Sequence, residues 1–513
     1  MMQPPSSAAP ANPAIAEWRM YIDGALVEAA SGATFPNIDP FTEEPIGVTA
    51  DGTAEDFRRA VAAARRAFDT TGWSTDAGLR ARCLRQLHEA LEARKDEIRA
   101  LLVTEVGTSV WLTRDTLLDL PIARLADYAR LAAEYPYEKP LPDLDFRGTA
   151  SRRFQRREPM GVVAAIIPWN GPWGDTLTKV GAALASGNTV VLKPSPDAPW
   201  AGTILGRIAA EATDLPPGVL NIVTSSDNMM GEILTTDPRV DLIAFTGSAP
   251  NGRRIAEVSA KTLKRLILEL GGKSPYVVLE SADVARQAEI AAKLICTNAG
   301  QGCVARSRLL LPRARYEEGV AAAASVMKSL SYGDPGNPEN YMGPLVSRHH
   351  RQRVLGHIEQ ALAQGNRLVC GGRIPPQFPK GYFVEPTLFA DVGPDDHIAQ
   401  EEVFGPVLAV IPYDDAEDAL AIANNSMYGL SATVAAATDA EAIAFANRLR
   451  TGTVSINGGV WMHMDVPFGG YKHSGIGRQF GIEGFESYLE TKILALPSGG
   501  PSESLAWGEV DRK

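Results

Sequence analysis

Gly161-Val162-Val163-Ala164-Ala165-Ile166-Ile167-Pro168-Trp169-Asn170 opens with seven residues that carry no polar side chain. A helical pattern follows over about 176–185, then the apolar run Thr189-Val190-Val191-Leu192-Lys193. A second helical pattern covers about 198–212 and leads into Val219-Leu220-Asn221-Ile222-Val223. Leu242-Ile243-Ala244-Phe245 and a helix over about 252–260 continue the alternation. Short unbroken apolar strands separated by helices predict an α/β fold, with a parallel sheet covered on both faces. Such sheets bind ligands beyond the carboxyl ends of their strands. The residues standing there are Pro168-Trp169-Asn170, Lys193-Pro194-Ser195 and Thr246-Gly247-Ser248.

The pattern extends outward in both directions. A second alternating stretch starts at Ser274-Pro275-Tyr276-Val277-Val278-Leu279 and runs to about 437, predicting a second α/β domain. Thr453-Val454-Ser455-Ile456-Asn457 reads as a further strand. Towards the N-terminus, residues 18–50 read as short strands, with a hairpin signal at Tyr21-Ile22-Asp23-Gly24. Three helices are expected next. The first is capped by Thr53 with Asp56 three residues on, the second covers 78–106, and the third covers 109–133. Residues 135–158 are Pro-rich and then basic, with Arg147, Arg152, Arg153, Arg156 and Arg157. They fit either an arm that pairs with another subunit or a charged edge hairpin. The Pro-, Ala- and Ser-rich residues 1–17 read as a disordered tail.

Length and composition narrow the function. A chain of 513 residues exceeds one core and predicts two or three domains. A net charge of -11 argues against nucleic acid or an anionic membrane surface as the main partner. No apolar run approaches the ~20 residues of a membrane helix. The four cysteines, Cys83, Cys296, Cys303 and Cys370, are scattered and form no metal-ligand spacing, so no metal site is expected. That usage fits a reducing cytoplasm.

Asn298-Ala299-Gly300-Gln301-Gly302-Cys303 sets a cysteine after a glycine-rich turn at the end of an apolar helical pattern. A thiolate there would attack carbonyl carbon, although a small buried cysteine has the same appearance. Asn170 at a strand end is either an oxyanion donor or a turn cap. Lys193 is either a ligand for ribose or phosphate or a surface lysine. The turn Thr246-Gly247-Ser248 opens a helix whose free amides attract phosphate, but it lacks both the Gly-x-Gly-x-x-Gly and the P-loop spacing. Glu269, in Leu268-Glu269-Leu270-Gly271-Gly272-Lys273, is a carboxylate among apolar residues, suited to act as a base or to be held by glycine amides.

Taken in succession, Pro-Trp-Asn, Lys-Pro-Ser, Phe-Thr-Gly-Ser, Glu-Leu-Gly-Gly-Lys, Gly-Gln-Gly-Cys, Glu401-Glu402-Val403-Phe404-Gly405-Pro406 and Pro467-Phe468-Gly469-Gly470-Tyr471-Lys472 resemble the aldehyde dehydrogenase superfamily. The resemblance covers about 18–496. It implies that Cys303 is the nucleophile, that Asn170 and the Cys303 amide form the oxyanion hole, and that Glu269 activates water to hydrolyse a thioester. It assigns the cofactor to Lys193, Ser195, Gly247, Ser248, Glu402 and Phe404, with Ile167, Trp169 and Leu270 alongside. The implied fold has a Rossmann-like cofactor domain (18–138 and 160–270), a catalytic domain (271–480), and a small β oligomerisation arm with a C-terminal tail (139–159 and 481–513). A homodimer or homotetramer is expected.

Two positions depart from the family pattern. Pro196 stands where many NAD-preferring members have a glutamate, which leaves NADP open beside NAD, with Lys179 as an added attraction for a 2′-phosphate. Gln479 stands where many members have a glutamate proposed to relay protons. The expected substrate mouth comprises Trp173, Thr297, Trp461, Met462 and Phe468, which favours a bulky apolar or aromatic aldehyde. The rival readings are a CoA-acylating semialdehyde dehydrogenase, disfavoured by the presence of Glu269, and a non-catalytic scaffold.

Overall fold

The computed structural model describes residues 15–498. Three larger sheets organise the described residues, beside a two-stranded one formed by Thr34–Ile38 and Pro45–Ala50. An eight-stranded sheet runs Gly475–Ile476, Arg265–Glu269, Leu242–Thr246, Val162–Ile166, Thr189–Lys193, Leu220–Ile222, Met20–Ile22, Ala25–Val27. A seven-stranded sheet is formed by Arg367–Cys370, Thr387–Ala390, Val407–Tyr413, Arg308–Pro312, Pro275–Val278, Ser431–Ala435 and Thr453–Ile456. The third has three strands: Glu138–Phe146, Thr149–Pro159 and Leu489–Pro497.

The apolar runs become the central parallel strands because helices bury both their faces. Val163 and Ala165 face one apolar cluster, and Val162 and Ala164 face the other. Strand order reverses at Val162–Ile166, which lies between the strand that follows it and one from much later in the chain. This is the switch point where α/β sheets open a crevice. Register brings the strand ends level: Ile166 pairs with Lys193, Phe245 with Ile166, and Thr246 with Glu269.

Several boundaries differ from the expectation. Ile15 and Glu17 are buried, so part of the segment read as a tail packs on the body. Residues 1–14 and 499–513, the remainder of the tail expectations, lie outside the described residues. The helix expected over 78–106 is two helices, Ala77–Ala93 and Lys95–Val106. The break at Arg94 lets Leu84, Leu87 and Leu91 reach the same core as Ile98 and Leu101. The next expected helix is likewise split into Val110–Thr113 and Asp119–Glu134. Gly475–Ile476, read as part of the catalytic domain, pairs instead with the Glu269 strand in the first sheet. The basic stretch 152–157 lies in the middle strand of the three-stranded sheet, with Leu489–Pro497 antiparallel beside it. No helix among the described residues is long and apolar enough to cross a membrane.

Candidate active site

Cys303 sits where the two large sheets meet. Helix Val284–Ile295 ends just before it, and the chain then passes through three left-handed residues, Asn298 (φ 50°), Ala299 (φ 54°) and Gly300 (φ 73°). At Gly300 a Cβ would stand 2.0 Å from the Gly405 carbonyl oxygen, so only glycine fits. The turn is clamped by side chains. Asn298 Nδ2 donates to the Asn170 carbonyl at 3.1 Å, Asn170 Nδ2 donates to the Gln301 carbonyl at 3.0 Å, and Gln301 Oε1 accepts from the Val346 amide at 2.9 Å. The Asn170 side-chain amide is thus fixed two residues from the cysteine, with its second N–H available to an oxyanion. Asn298 and Gln301 are the clamp that reading by motif passes over. The signal available in the sequence was their polar amides within the glycine turn.

Cys303 is partly exposed. Burial pushes its thiol up, and Asp175, Glu402 and Glu269 push the same way, while the Val304 amide opposes them. Glu269 is 3% exposed, and neither of its carboxyl oxygens has a partner among the described residues. Burial raises its pKa well above the usual carboxylate range against the pull of Lys179 and Arg478, and Asp175 adds to the rise. Lys179 Nζ is fully buried, 2.5 Å from Thr246 Oγ1 and 3.3 Å from Asp175 Oδ1. The expectation that Lys179 attracts a 2′-phosphate therefore fails: its ammonium is enclosed near Glu269 by the helix it rides on.

The remaining strand ends frame a neighbouring cleft. Lys193 is buried with no hydrogen bond or ion pair among the described residues, and burial lowers its pKa to about 8. Gly247 and Ser248 open helix Ala249–Ser259, with Ser248 Oγ accepting the Asn251 amide at 3.4 Å. Ser195 Oγ accepts its own turn's Asp197 amide at 3.3 Å. Ile167 and Leu270 are buried, and Leu270 packs beneath the helix start at Gly252. Glu402 Oε1 accepts the Gly272 amide at 2.9 Å, while burial raises its pKa to about 7. A Cβ on Gly271 would stand 2.2 Å from that carboxylate, so the glycine makes room for it.

Phe404 is left-handed (φ 59°), an uncommon state for a bulky residue. It is held by His350 Nε2 at 2.7 Å from its carbonyl and by the Trp169 ring at 5.5 Å. His350, buried with its pKa lowered to about 4, is a supporting residue that no motif flagged.

Of the expected mouth, Trp461 stacks on Phe468 at 5.3 Å and 5°, and Met462 is exposed at the rim. Thr297 Oγ1 pairs with the Tyr341 hydroxyl at 2.8 Å. Trp173 does not belong to the mouth: it is 1% exposed and part of the apolar core, because the helix Pro172–Ala185 turns that face inward.

The profile of the aldehyde dehydrogenase family matches residues 26–494, and the chain belongs to that family. Among its relatives, the 3-succinoylsemialdehyde-pyridine dehydrogenase of a Pseudomonas species is 40% identical over 92% of this chain and 97% of the relative. The geranial dehydrogenase of Castellaniella defragrans is 38% identical over 93% and 98%. Among solved structures, the NAD+ complex of aldehyde dehydrogenase from Bacillus cereus superposes with a TM-score of 0.89 at 36% identity, covering 94% of this chain and 97% of that one. Aldehyde dehydrogenase C of Pseudomonas syringae, as a mutant with NAD+ and octanal, gives 0.88 at 37% identity, covering 95% and 98%. The class is therefore that of enzymes that oxidise aldehydes.

Proposed function

We propose that this protein oxidises bulky apolar or aromatic aldehydes to carboxylic acids with NAD+, through a thioester on Cys303 that Glu269 helps to hydrolyse. The observation that carries the reading is Glu269 itself: a buried carboxyl with both oxygens unpartnered, in the sheet whose switch-point crevice receives the cysteine loop. A buried carboxyl with no structural bond to make is disfavoured unless a ligand or reaction uses it.

The cofactor fits the cleft on three counts. Lys193 is a buried cation with no partner among the described residues and is suited to ribose hydroxyls, the Gly247-Ser248 helix start suits the pyrophosphate, and Glu402 is braced by Gly272 to accept from the second ribose. NAD+ bound there supplies the hydride acceptor. The protein's own groups do the rest. Cys303 Sγ adds to the carbonyl carbon as a thiolate, and the oxygen takes the bonding pair, steadied by Asn170 Nδ2 and the Cys303 amide. After loss of hydride the carbon is a thioester. Glu269 takes a proton from water as its oxygen adds to that carbon, and the C–S bond breaks to return the thiolate.

The Trp461–Phe468 stack and Met462 support a large apolar substrate. Asp175, whose charge reaches the nucleophile, disfavours aldehydes carrying a carboxylate. Relatives named for geranial and for a pyridine semialdehyde, and a neighbour holding octanal, accord with that class. The four free cysteines accord with a cytoplasmic enzyme. The three-stranded sheet, with exposed Leu144, Phe146 and Ile493, supports a homodimer or homotetramer.

A matrix of aldehydes against NAD+ and NADP+ tests the reading. Benzaldehyde and long alkanals should exceed succinate semialdehyde in kcat/KM; the reverse order sinks the substrate class. Cys303→Ala should abolish NADH formation and keep NAD+ binding. Glu269→Gln should give a burst of NADH followed by a much slower steady state.

A further inference from the structure

Outside the mouth lies a cleft of about 600 Å³, walled by Trp111, Lys293, Val326, Leu330, Glu339 and Tyr341. None of Cys303, Thr297, Trp461, Met462 and Phe468 lines it. Its size is that of small-molecule sites, which are mostly apolar with a few placed polar groups. The walls come from separate elements. Trp111 lies on the short helix Val110–Thr113, Lys293 in the last turn of Val284–Ile295, and Val326 on Tyr316–Ser329.

Hydrogen bonds fix its aromatic floor. Trp111 Nε1 and Ser109 Oγ both donate to the Tyr341 carbonyl at 3.0 Å, and the Tyr341 amide donates to the Ser331 carbonyl at 3.0 Å. The Trp111 and Tyr341 rings stack at 5.1 Å and 26°. Both are half-buried, so they offer the cleft a flat apolar surface. The exposed Lys293 Nζ stands 5.0 Å from the centre of the Tyr341 ring and has no hydrogen bond or ion pair among the described residues. The Tyr341 hydroxyl pairs with Thr297 Oγ1 at 2.8 Å, and Thr297 opens the turn that leads to Cys303.

These walls select a ligand. A flat ring suits the aromatic floor and the aliphatic Val326 and Leu330, and one anionic group answers the Lys293 ammonium. Glu339 in the same cleft repels a second negative charge. We propose that the cleft is a second binding site, for an aromatic monocarboxylate, and that filling it lowers turnover. The bound carboxylate draws Lys293 from the Tyr341 ring, because a charge-assisted hydrogen bond outweighs the contact of a cation with a ring face. Tyr341 then loosens its hold on Thr297, and the turn that presents the Cys303 sulfur shifts.

The product of oxidising an aromatic aldehyde is itself an aromatic monocarboxylate. The cleft therefore lets the enzyme answer to its own product without blocking the mouth. That consequence rests on the proposed substrate class, whereas the binding site does not. Tyr341 acts on Cys303 through Thr297 and is a positioning residue.

Benzoate is the probe. Calorimetry measures its binding to the full-length enzyme with NAD+ present, and initial rates are taken over a grid of benzaldehyde and benzoate. Benzoate should lower kcat, and high benzaldehyde should not relieve the effect. Lys293→Met and, independently, Trp111→Leu should weaken binding and inhibition roughly tenfold or more, whereas Glu339→Gln should strengthen both. Tyr341→Phe should still bind benzoate while its turnover, already lowered, no longer responds. Absence of binding, inhibition that benzaldehyde fully relieves, or an affinity unchanged in both Lys293→Met and Trp111→Leu overturns the site. A Tyr341→Phe enzyme that responds like the wild type overturns the route through Thr297. Should benzaldehyde not be oxidised at all, the substrate reading fails, and the calorimetric comparison of wild type with Lys293→Met still decides the cleft.

Discussion

At Glu269, burial and chemistry pull in opposite directions. Desolvation raises its pKa more than Lys179 and Arg478 together lower it. The folded protein therefore holds this proton to a higher pH than the unfolded chain does. Below the ordinary carboxylate range both states are protonated and nothing is lost. As pH rises the unfolded chain ionises first, and folded stability falls until the folded-state pKa is passed. Glu269→Gln removes that term, so the variant's Tm should gain on the wild type between acidic and neutral pH. Calorimetry at the two pH values checks it, and a constant Tm difference counts against the raised pKa. In the proposed role Glu269 works ionised, so the acid limb of steady-state turnover should lie above the ordinary carboxylate range. The burial of Glu269 was legible from its apolar neighbours. The enclosure of Lys179 was not, because it depends on which face of its helix meets the strand carrying Thr246.

Among the elements, the turn 297–302 decides where sulfur points. Three successive left-handed residues are unusual outside glycine, and they persist because Asn298, Asn170 and Gln301 bond across them. Gly300→Ala would add strain at φ 73° and press a methyl group on the Gly405 carbonyl. Its expected effect is a loss of about 2 kcal/mol or more of stability, or a displaced turn with oxidation reduced and NAD+ affinity kept. Denaturant unfolding with NAD+ titration measures both, and wild-type stability with full activity would contradict the close contact. The break between the helices at 110–113 and 119–134, inside one expected helix, escaped the sequence reading for a related reason. Apolar periodicity carries across a break when both halves serve one core, so the pattern alone does not show where the backbone turns.

At the scale of the whole molecule, the proposed homo-oligomer is tested at the three-stranded sheet. Its exposed Phe146 and Ile493, 62% and 56% accessible, sit on the two outer strands, either side of the arginine-bearing strand Thr149–Pro159. Phe146→Asp with Ile493→Asp should lower the assembly state while leaving the core's unfolding transition in place, as read by sedimentation and calorimetry. An unchanged sedimentation coefficient would remove this sheet from the interface. The sequence flagged both halves of the sheet, but the two are more than 300 residues apart and only folding pairs them.

Local chemistry alone determined the α/β alternation, the strand ends that carry Asn170, Lys193, Gly247 and Glu269, and the cysteine after its glycine turn. These follow from apolar runs and turn residues that act within a few positions of themselves. Tertiary structure decided that Trp173 is core, that Lys179 is enclosed against Thr246 and Asp175, that His350 braces Phe404, and that Gly475 returns to the first sheet. Each depends on which distant segment lies alongside, and that is set by packing and register, which no short stretch encodes.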